Sequence, residues 1–362
     1  MAKQHAGHAA STPTPAEQLV GRKLPNGWMV EELIERSENA TGGHFSSSYI
    51  VRSDVGREAF LKAMDYRKAL ESGDPAEALE AMTAAYNFER DILKKCRNHN
   101  LSRIVSVLDE GKLSPIQGDP SSVVQYLIFE LAKGDIRSFV DFEEDFDTAW
   151  VLRTMHQAVA ALRQLHSVEI AHQDVKPSNV LIFEDDFSKL ADLGRASDRN
   201  SISPHDELRC AGDQTYAPPE LLYGHVSQDW GTRRLGCDMY LLGSLVIFLC
   251  TSISMTHLLL ERLNKKHHYK NWGGTYSDVL PYLQHAFVQI IRELRIELPA
   301  GFAGDIAELV KQLCNPDLEL RGHPKNIKYR GNRYSLERYV SIFDYLAKRA
   351  EYSLTHRDPI KR

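Results

Sequence analysis

The sequence has few cysteines, no long apolar run and no strong excess of charge of either sign. Its 362 residues include five cysteines without a C-x-x-C pair, so reduced thiols are expected and a disulfide framework is not. The net charge of −5 argues against a broad nucleic-acid-binding face. We therefore expect a cytoplasmic protein without a nucleic-acid partner.

One apolar run, residues 239–254 (MYLLGSLVIFLCTSIS), invites a membrane interpretation. A spanning helix needs about 20 apolar residues, whereas this run is shorter and contains glycine, serine and threonine. We therefore expect a helix buried in a protein core and no membrane span. Residues 1–22 are rich in alanine, threonine, proline and histidine, which predicts a flexible tail and no signal peptide.

The most informative segment is HQDVKPSN, residues 172–179, which is followed by DLG at 192–194. Asp174 is followed by Asn179 and, further along the chain, by Asp192. These residues supply one proton acceptor and two metal-binding oxygens, as Mg²⁺-assisted phosphoryl transfer requires. A polar loop of an unrelated α/β protein is the better explanation of any one of these residues alone, but it does not explain their joint spacing.

This segment resembles the catalytic loop and metal-binding turn of protein kinases. The resemblance implies an α+β, bilobal fold with a small β-rich N-lobe over residues 23–132. A larger, mainly helical C-lobe is expected over 133–350, and a C-terminal tail over 351–362. With 43% hydrophobic residues, the chain is long and apolar enough to form about two domains.

The resemblance also implies ATP and Mg²⁺ as cofactors. Asp174 would accept the proton of the attacking hydroxyl, and Lys176 would offset charge on the moving phosphoryl group. Asn179 and Asp192 offer the hard oxygen ligands that suit Mg²⁺. A lysine at the second position after the catalytic aspartate, here Lys176 after Asp174, resembles the pattern of the serine/threonine-directed class of kinases.

The chain before this segment supplies the expected nucleotide-binding elements. The strand predicted over 57–66 contains Lys62, and the helix predicted to start after Asp74 carries Glu89 on its apolar face. The resemblance pairs Lys62 with Glu89; the alternative is a Glu89 side chain that reaches water. The nucleotide contacts implied by the resemblance come from Gly42, Gly43, His44, Phe45, Ser46, Phe60, Lys62, Glu89, Phe129, Glu130, Ala132 and Leu181.

Several positions in the expected nucleotide-binding elements depart from the kinase pattern. Aligned on Phe45, only Gly43 falls on one of the three glycines of the phosphate-binding turn, and a plain hairpin turn is the alternative. Phe60 stands where kinases have a small alanine, and Ser48 stands where they have valine. We hypothesise that these two exchanges conserve the volume of the adenine pocket.

The catalytic loop departs from the pattern at Gln173, where many kinases have the arginine that binds a phosphate of the activation segment. Without that arginine, a phosphate on the activation segment lacks its usual binding partner. We therefore expect activity that does not depend on phosphorylation of the segment. Ser197, Ser201 and Ser203 are the modifiable positions, with solvated loop residues as the competing interpretation. Asp213 replaces the usual threonine, which puts the substrate-binding floor in doubt.

A protein substrate is indicated by residues 216–220, YAPPE, which resemble the end of a kinase activation segment. There Glu220 would pair with Arg321, and Asp238 would brace the catalytic loop. The expected partner is a protein with serine or threonine hydroxyls, which allows autophosphorylation. The alternatives are a pseudokinase scaffold and a small-molecule kinase. The longer stretches 222–236 and 258–297 are expected to be surface elaborations, with partner docking as the alternative.

Overall fold

The computed structural model describes residues 13–35, 46–119, 122–140, 147–298, 301–329 and 333–356. The chain divides into two compact units. The first comprises Met1–Asn87 and Ser106–Leu131, and the second comprises Phe88–Val105 and Ala132–Arg362. The sequence placed the boundary between 132 and 133 but left residues 88–105 in the N-lobe. They belong to the second unit, where the backbone N–H of Val105 donates to the Leu190 carbonyl oxygen at 2.9 Å.

The first unit is built on a five-stranded antiparallel sheet in the order β1-β2-β3-β5-β4. Alternation along the strands gives the sheet two different faces: Leu61 is fully buried on one face, whereas Phe60 and Lys62 are half-buried on the other. The strands are β1 Met29–Leu33, β2 Ser46–Arg52, β3 Glu58–Met64, β4 Val107–Leu113 and β5 Val124–Glu130.

A short helix, α1 (Arg67–Leu70), and a long helix, α2 (Pro75–Asn98), follow β3. The predicted start of the long helix is confirmed, because the backbone N–H of Glu77 donates to Asp74 Oδ1 at 3.0 Å and a proline occupies the first helical position. Its predicted inward face is also confirmed, since Glu89 is only 5% exposed.

The predicted flexible tail over 1–22 is wrong for residues 13–22. Residues Pro15–Glu17 form a 3₁₀ turn capped by Thr14, and Ala16 and Leu19 are buried in the apolar cluster beneath the sheet. The hydroxyl of Tyr49 donates to the Ala16 carbonyl oxygen. This part of the chain is ordered because its apolar side chains cover one face of the sheet.

The second unit is mainly helical. Helix α3 packs along α10, and the short strands form a three-stranded sheet in the order β6-β8-β9 and the pair β7-β10. The elements are β6 Gly134–Asp135, α3 Thr148–Ser167, β7 Ile170–Ala171, β8 Val180–Ile182, β9 Ser188–Leu190, β10 Ser197–Asp198, α4 Pro219–Leu222, α5 Gly236–Thr251, α6 Met255–Glu261, α7 Tyr276–Glu297, α8 Ala303–Leu313, α9 Pro324–Ile327 and α10 Glu337–Thr355.

The apolar run 239–254 forms most of α5, which continues a π-helical turn at Gly231–Leu235. The combined helix, Gly231–Thr251, has 21 residues and is the one helix in the described ranges that is long and apolar enough to cross a membrane. The run itself is shorter than a spanning segment, as predicted, but the helix that contains it begins eight residues earlier, so length alone does not exclude a span. Because 78% of its apolar window is buried inside the protein, the core-helix interpretation is still favoured.

The predicted C-terminal tail over 351–362 begins too early, because α10 continues to Thr355. The end of this helix is attached to α3 by Arg153, whose Nε and Nη2 donate to the two carboxylate oxygens of Glu351 at 2.7 and 2.8 Å. This long-range contact extends the last helix beyond the end that the sequence suggested.

Candidate active site

The loop between β7 and β8 is held by one buried carboxylate from α5. Asp238, which is 0% exposed, accepts the backbone N–H of His172 on Oδ2 and that of Gln173 on Oδ1, both at 2.7 Å. His166 Nε2 lies 2.9 Å from Asp238 Oδ2. The predicted bracing role of Asp238 is confirmed, and the backbone immediately before Asp174 is fixed by it.

Asp174 lies in this loop with its carboxylate buried, at 5% exposure. Its Oδ2 accepts from Asn179 Nδ2 at 3.0 Å and pairs with Lys176 Nζ at 2.9 Å, while Oδ1 accepts the backbone N–H of Asp213 at 2.8 Å. Burial raises the pKa of Asp174, and Lys176 and the Asp213 N–H oppose that rise. The site therefore holds a buried carboxylate with a raised pKa, whose two oxygens are fixed by these contacts.

Asn179 and Asp192 lie at the same end of the β8–β9 pair. The backbone N–H of Ala191 donates to the Asn179 carbonyl oxygen at 2.9 Å, and Asp192 is the next residue, with an exposed side chain and a left-handed φ of 60°. Because Asn179 Nδ2 donates to Asp174, the Asn179 amide offers its Oδ1 as a ligand atom.

An amide oxygen and a carboxylate fit Mg²⁺, which takes one or two protein carboxylates and completes its shell with water and substrate phosphates. The residues that the structure describes contain no group of three or more histidine, cysteine, aspartate or glutamate side chains able to hold a metal ion. A site of two oxygen ligands is consistent with that finding, because such a site relies on ligands from the substrate.

Glu89 also lies beside the DLG turn within the second unit. A Cβ placed on Gly194 would lie 3.5 Å from Glu89 Oε2 and 3.5 Å from Asp192 Oδ1, so both carboxylates approach the same glycine. The alternative of a Glu89 side chain that reaches water is wrong, because its exposure is 5%. Lys62 lies in the first unit, and its ion pair with Glu89 remains a prediction.

The other predicted nucleotide contacts divide between the two units. In the first unit, Phe60 faces Phe129 across β3 and β5, with ring centroids 6.3 Å apart. Ser46 begins β2 and Glu130 ends β5. In the second unit, Ala132 lies two residues before the start of β6 and Leu181 lies in the middle of β8. Gly42, Gly43, His44 and Phe45 lie outside the described residues.

The segment between Asp192 and Glu220 is fixed at its end by a buried ion pair. Glu220 Oε1 and Oε2 accept from Arg321 Nη1 and Nη2 at 2.7 and 2.8 Å, and Arg321 is 0% exposed. The predicted pairing of Glu220 with Arg321 is confirmed. Its bidentate geometry holds α4 against the chain that follows α8.

Sequence reasoning missed Gly212, which packs directly against the catalytic loop. A Cβ on this residue would collide with the Gln173 carbonyl oxygen and would lie 2.7 Å from Asp174 Oδ1. Only glycine permits that approach. The glycine is visible in the sequence, but nothing local to it indicates that a loop almost 40 residues earlier lies against it.

The same segment corrects the interpretation of its serines as solvated. Ser197 and Ser203 are buried, with exposures of 1% and 4%, and Ser203 Oγ donates to the Ala196 carbonyl oxygen at 3.1 Å. Ser201 is exposed. Two of the three serines are therefore structural residues that a modifying enzyme does not reach in this arrangement.

Comparison with known proteins shows similarity to protein kinases. The sequence profile of the protein kinase domain matches residues 37–329. The Aurora kinase of Debaryomyces hansenii is 25% identical over 79% of this chain and 66% of its own length. The serine/threonine-protein kinase atg1 of Dictyostelium discoideum is 25% identical over 68% of this chain and 32% of its own. The serine/threonine-protein kinase fused of Drosophila melanogaster is 26% identical over 68% of this chain and 31% of its own.

The chain therefore spans less than two thirds of each of these relatives, and only about a third of two of them. The profile nevertheless covers well over half of this chain. Together with the β-rich first unit, the helical second unit and the arrangement around Asp174, this match shows that the chain belongs to the protein kinase family.

Proposed function

We propose that this protein transfers the γ-phosphoryl group of ATP to serine and threonine hydroxyls of proteins. The observation that carries this proposal is the buried Asp174 carboxylate, whose two oxygens are contacted by Asn179, Lys176 and the backbone N–H of Asp213. A general base must be oriented toward the proton that it takes and must be basic enough to take it. Burial supplies the basicity and the three donors supply the orientation.

In this proposal Asp174 accepts the proton of the attacking hydroxyl. Lys176, which is 6% exposed and lies 2.9 Å from Asp174 Oδ2, brings a positive charge to the side of the transferred group. Asn179 and Asp192 would hold Mg²⁺, which would neutralise charge on the phosphate oxygens. The main contribution of the protein is then positioning and electrostatic stabilisation.

The nucleotide side of the proposal rests on the first unit and on the start of the second. Lys62 would bind phosphate oxygens and be oriented by Glu89, and Leu181 would lie beneath the adenine. The surroundings of the nucleotide would be completed by Gly42, Gly43, His44, Phe45, Ser46, Phe60, Phe129 and the backbone groups of Glu130 and Ala132.

A protein substrate is favoured over a small molecule by the segment between Asp192 and Glu220. The buried Glu220–Arg321 pair anchors its end, and the Asp213 N–H brings it to the proposed base. A segment fixed at its end and in contact with Asp174 could position a polypeptide substrate beside the base. Autophosphorylation follows if a hydroxyl of a second molecule occupies that position.

A cytoplasmic location forms part of the proposal. All five cysteines lie within the described residues and are free thiols, three of them buried. Burial raises the pKa of Cys96 to about 12 and that of Cys210 to about 11, so these thiols are unreactive small side chains. Such thiols suit a reducing compartment.

The test is transfer of labelled γ-phosphate from ATP and Mg²⁺ to casein and myelin basic protein by the purified full chain. Asp174→Asn should lower the rate about 10²–10⁴-fold, the contribution of a general base. Asp185→Asn is the matched control, because Asp185 is an exposed aspartate in the turn between β8 and β9 and the rate should not change. Phosphoamino-acid analysis of the products should show phosphoserine and phosphothreonine.

Two outcomes would replace the proposal with another function. ATP binding, measured by calorimetry, without any transfer by the wild-type chain would favour a pseudokinase scaffold. Transfer to small alcohols or amines but to no protein would favour a small-molecule kinase. Equal rates for the wild-type chain and Asp174→Asn would exclude Asp174 as the base.

A further inference from the structure

One buried arginine joins the segment 192–220 to the catalytic loop. Arg234 lies in the π-helical turn before α5 and is 3% exposed. Its Nη2 donates to Asp206 Oδ1 at 2.9 Å and to the Asp206 carbonyl oxygen at 3.1 Å, while its Nη1 donates to Gln173 Oε1 at 3.3 Å. A single guanidinium therefore contacts both the segment, through Asp206, and the residue that immediately precedes Asp174.

Gln173 is bound on its other side as well. Its Nε2 donates to the Arg234 carbonyl oxygen at 2.8 Å and to Asp238 Oδ1 at 3.1 Å. Gln173 has a left-handed φ of 66°, a conformation that is costly for a residue with a Cβ. The side-chain contacts with Arg234 and Asp238 offset that cost, and they fix the backbone that carries Asp174.

Asp206 also accepts several hydrogen bonds. Besides the Arg234 contact, its Oδ2 accepts the backbone N–H of Ser203 at 2.8 Å and its Oδ1 accepts from Ser197 Oγ at 3.1 Å. Arg233 Nη2 donates to its carbonyl oxygen at 2.6 Å. Residues 197–206 are thus folded around one anionic group that faces a buried cation, an arrangement that a solvated loop does not adopt.

Because the Arg234 guanidinium is buried, its charge requires a partner such as the Asp206 carboxylate. Removal of Arg234 from water lowers its pKa, because burial disfavours the charged guanidinium. The Asp206 carboxylate, at 2.9 Å, compensates for the buried charge, so its loss would leave Arg234 with only neutral hydrogen-bond partners. The ion pair is therefore expected to persist in the folded protein instead of exchanging with solvent.

We propose that Asp206 and Arg234 form a permanent ionic clamp, which aligns the segment 192–220 with Asp174 without phosphorylation of that segment. The anionic partner that a phosphate would provide is already encoded in the chain. The clamp positions Asp174 through Gly212 and Asp213, which lie later in the same segment and contact Asp174. The catalytic part of this inference rests on the proposed kinase activity; the structural part does not.

Asp206 and Arg234 are positioning residues in this scheme. Asp206→Asn, which keeps the shape and removes the charge, should lower kcat about tenfold with the KM for ATP changed less than twofold. Glu207→Gln is the matched control, because Glu207 is the neighbouring exposed carboxylate and should behave as wild type. Asp206→Glu, which restores the charge, should recover most of the loss.

Hydrogen exchange of amides 197–209 provides a readout that does not depend on catalysis. Asp206→Asn should exchange faster there, with an unchanged far-ultraviolet spectrum, whereas Glu207→Gln should not. Wild-type protein treated with phosphatase, and shown by mass spectrometry to carry no phosphate, should keep its full rate.

The clamp is overturned if Asp206→Asn matches wild type in exchange, or if phosphatase treatment abolishes transfer. A wild-type chain that transfers no phosphate, while Asp206→Asn still loses protection over 197–209, would overturn the proposed kinase function and leave the clamp standing. The two failures are thereby distinguishable.

Discussion

The sheet of the first unit and the candidate active site of the second unit are stabilised in opposite ways. The cluster beneath the sheet consists of apolar or aromatic residues such as Leu61 and Ile128, both fully buried. The buried residues of the candidate active site include Asp174, Lys176 and Asp238, which are held by specific hydrogen bonds and ion pairs. Apolar packing tolerates exchanges that conserve volume, whereas a buried charge depends on one particular partner.

The largest effect is expected where a buried charge loses its partner. Glu220→Gln should lower the free energy of unfolding by about 3–5 kcal/mol, because it leaves Arg321, which is 0% exposed, without a counter-charge. The measurement is urea unfolding followed by tryptophan fluorescence.

Two further variants sharpen that contrast. Glu319→Gln removes a carboxylate that is 76% exposed and pairs with Arg333, so the cost should stay below about 1 kcal/mol. Leu61→Met, in the apolar cluster, should cost less than about 1.5 kcal/mol because it nearly conserves volume. Equal losses for Glu220→Gln and Leu61→Met would contradict the comparison.

The second effect concerns close packing against the catalytic loop. Gly212→Ala should lower kcat about 100-fold, because the added methyl group collides with the Gln173 carbonyl oxygen and displaces Asp174. Gly273→Ala is the control, since a Cβ there meets nothing within 4 Å. Initial rates of transfer at saturating ATP provide the measurement. A Gly212→Ala variant with normal kcat would show that the loop and the segment move apart freely.

A smaller effect is expected on the sheet face that carries Phe60 and Lys62. Ser48 pairs with Lys62 across β2 and β3, two pairs along the ladder from Phe60, so a larger side chain at 48 adds volume to the face that carries the large ring. Ser48→Val should weaken ATP binding about tenfold by overfilling this face. Phe60→Ala alone should loosen ATP binding or leave it unchanged.

Calorimetric titration with ATP tests this volume exchange. The double variant Ser48→Val/Phe60→Ala should bind ATP nearly as well as wild type. The volume that valine adds at position 48 is offset by the volume that alanine removes at position 60. Normal affinity in Ser48→Val alone would refute the idea that the two positions compensate.

The smallest effects are expected for serines of the segment 192–220, where a buried and an exposed serine should differ in their effect on the transfer rate. Ser197→Ala should lower the transfer rate about threefold, because its hydroxyl donates to Asp206 and accepts from Trp230 Nε1. Ser201→Ala, at an exposed position, should leave the rate unchanged. Rates of peptide phosphorylation by the two variants test this difference, and a large loss in Ser201→Ala would point to regulation by phosphorylation of that residue.

Much of the architecture was predictable from local pattern. The Asp74 cap and the following proline marked the start of α2, and its apolar spacing placed Glu89 on the buried face. Apolar strand runs marked the sheet. Residues 13–22 were assigned to the tail wrongly, since nothing in a short polar stretch shows that Ala16 and Leu19 cover a distant sheet.

The candidate site was predictable to the extent that its residues carry recognisable chemistry. Asp174, Asn179 and Asp192 were found by residue type and spacing, and Asp238 and Arg321 by their order in the kinase pattern. Gly212 and the clamp between Asp206 and Arg234 were not found. Glycine, aspartate and arginine are each common on loops, and their roles here come entirely from what lies opposite them.

The sequence by itself determined the reacting groups, their order and the faces of the long helix and strands, because residue type and periodicity are local properties. Only the tertiary structure decided which charges are partners. Asp206 and Arg234 are 28 residues apart, and Glu220 and Arg321 are 101 apart. The distance between such residues depends on how the whole unit packs, and that packing gives Gln173, an exception in the motif, a hydrogen bond from the arginine of the clamp.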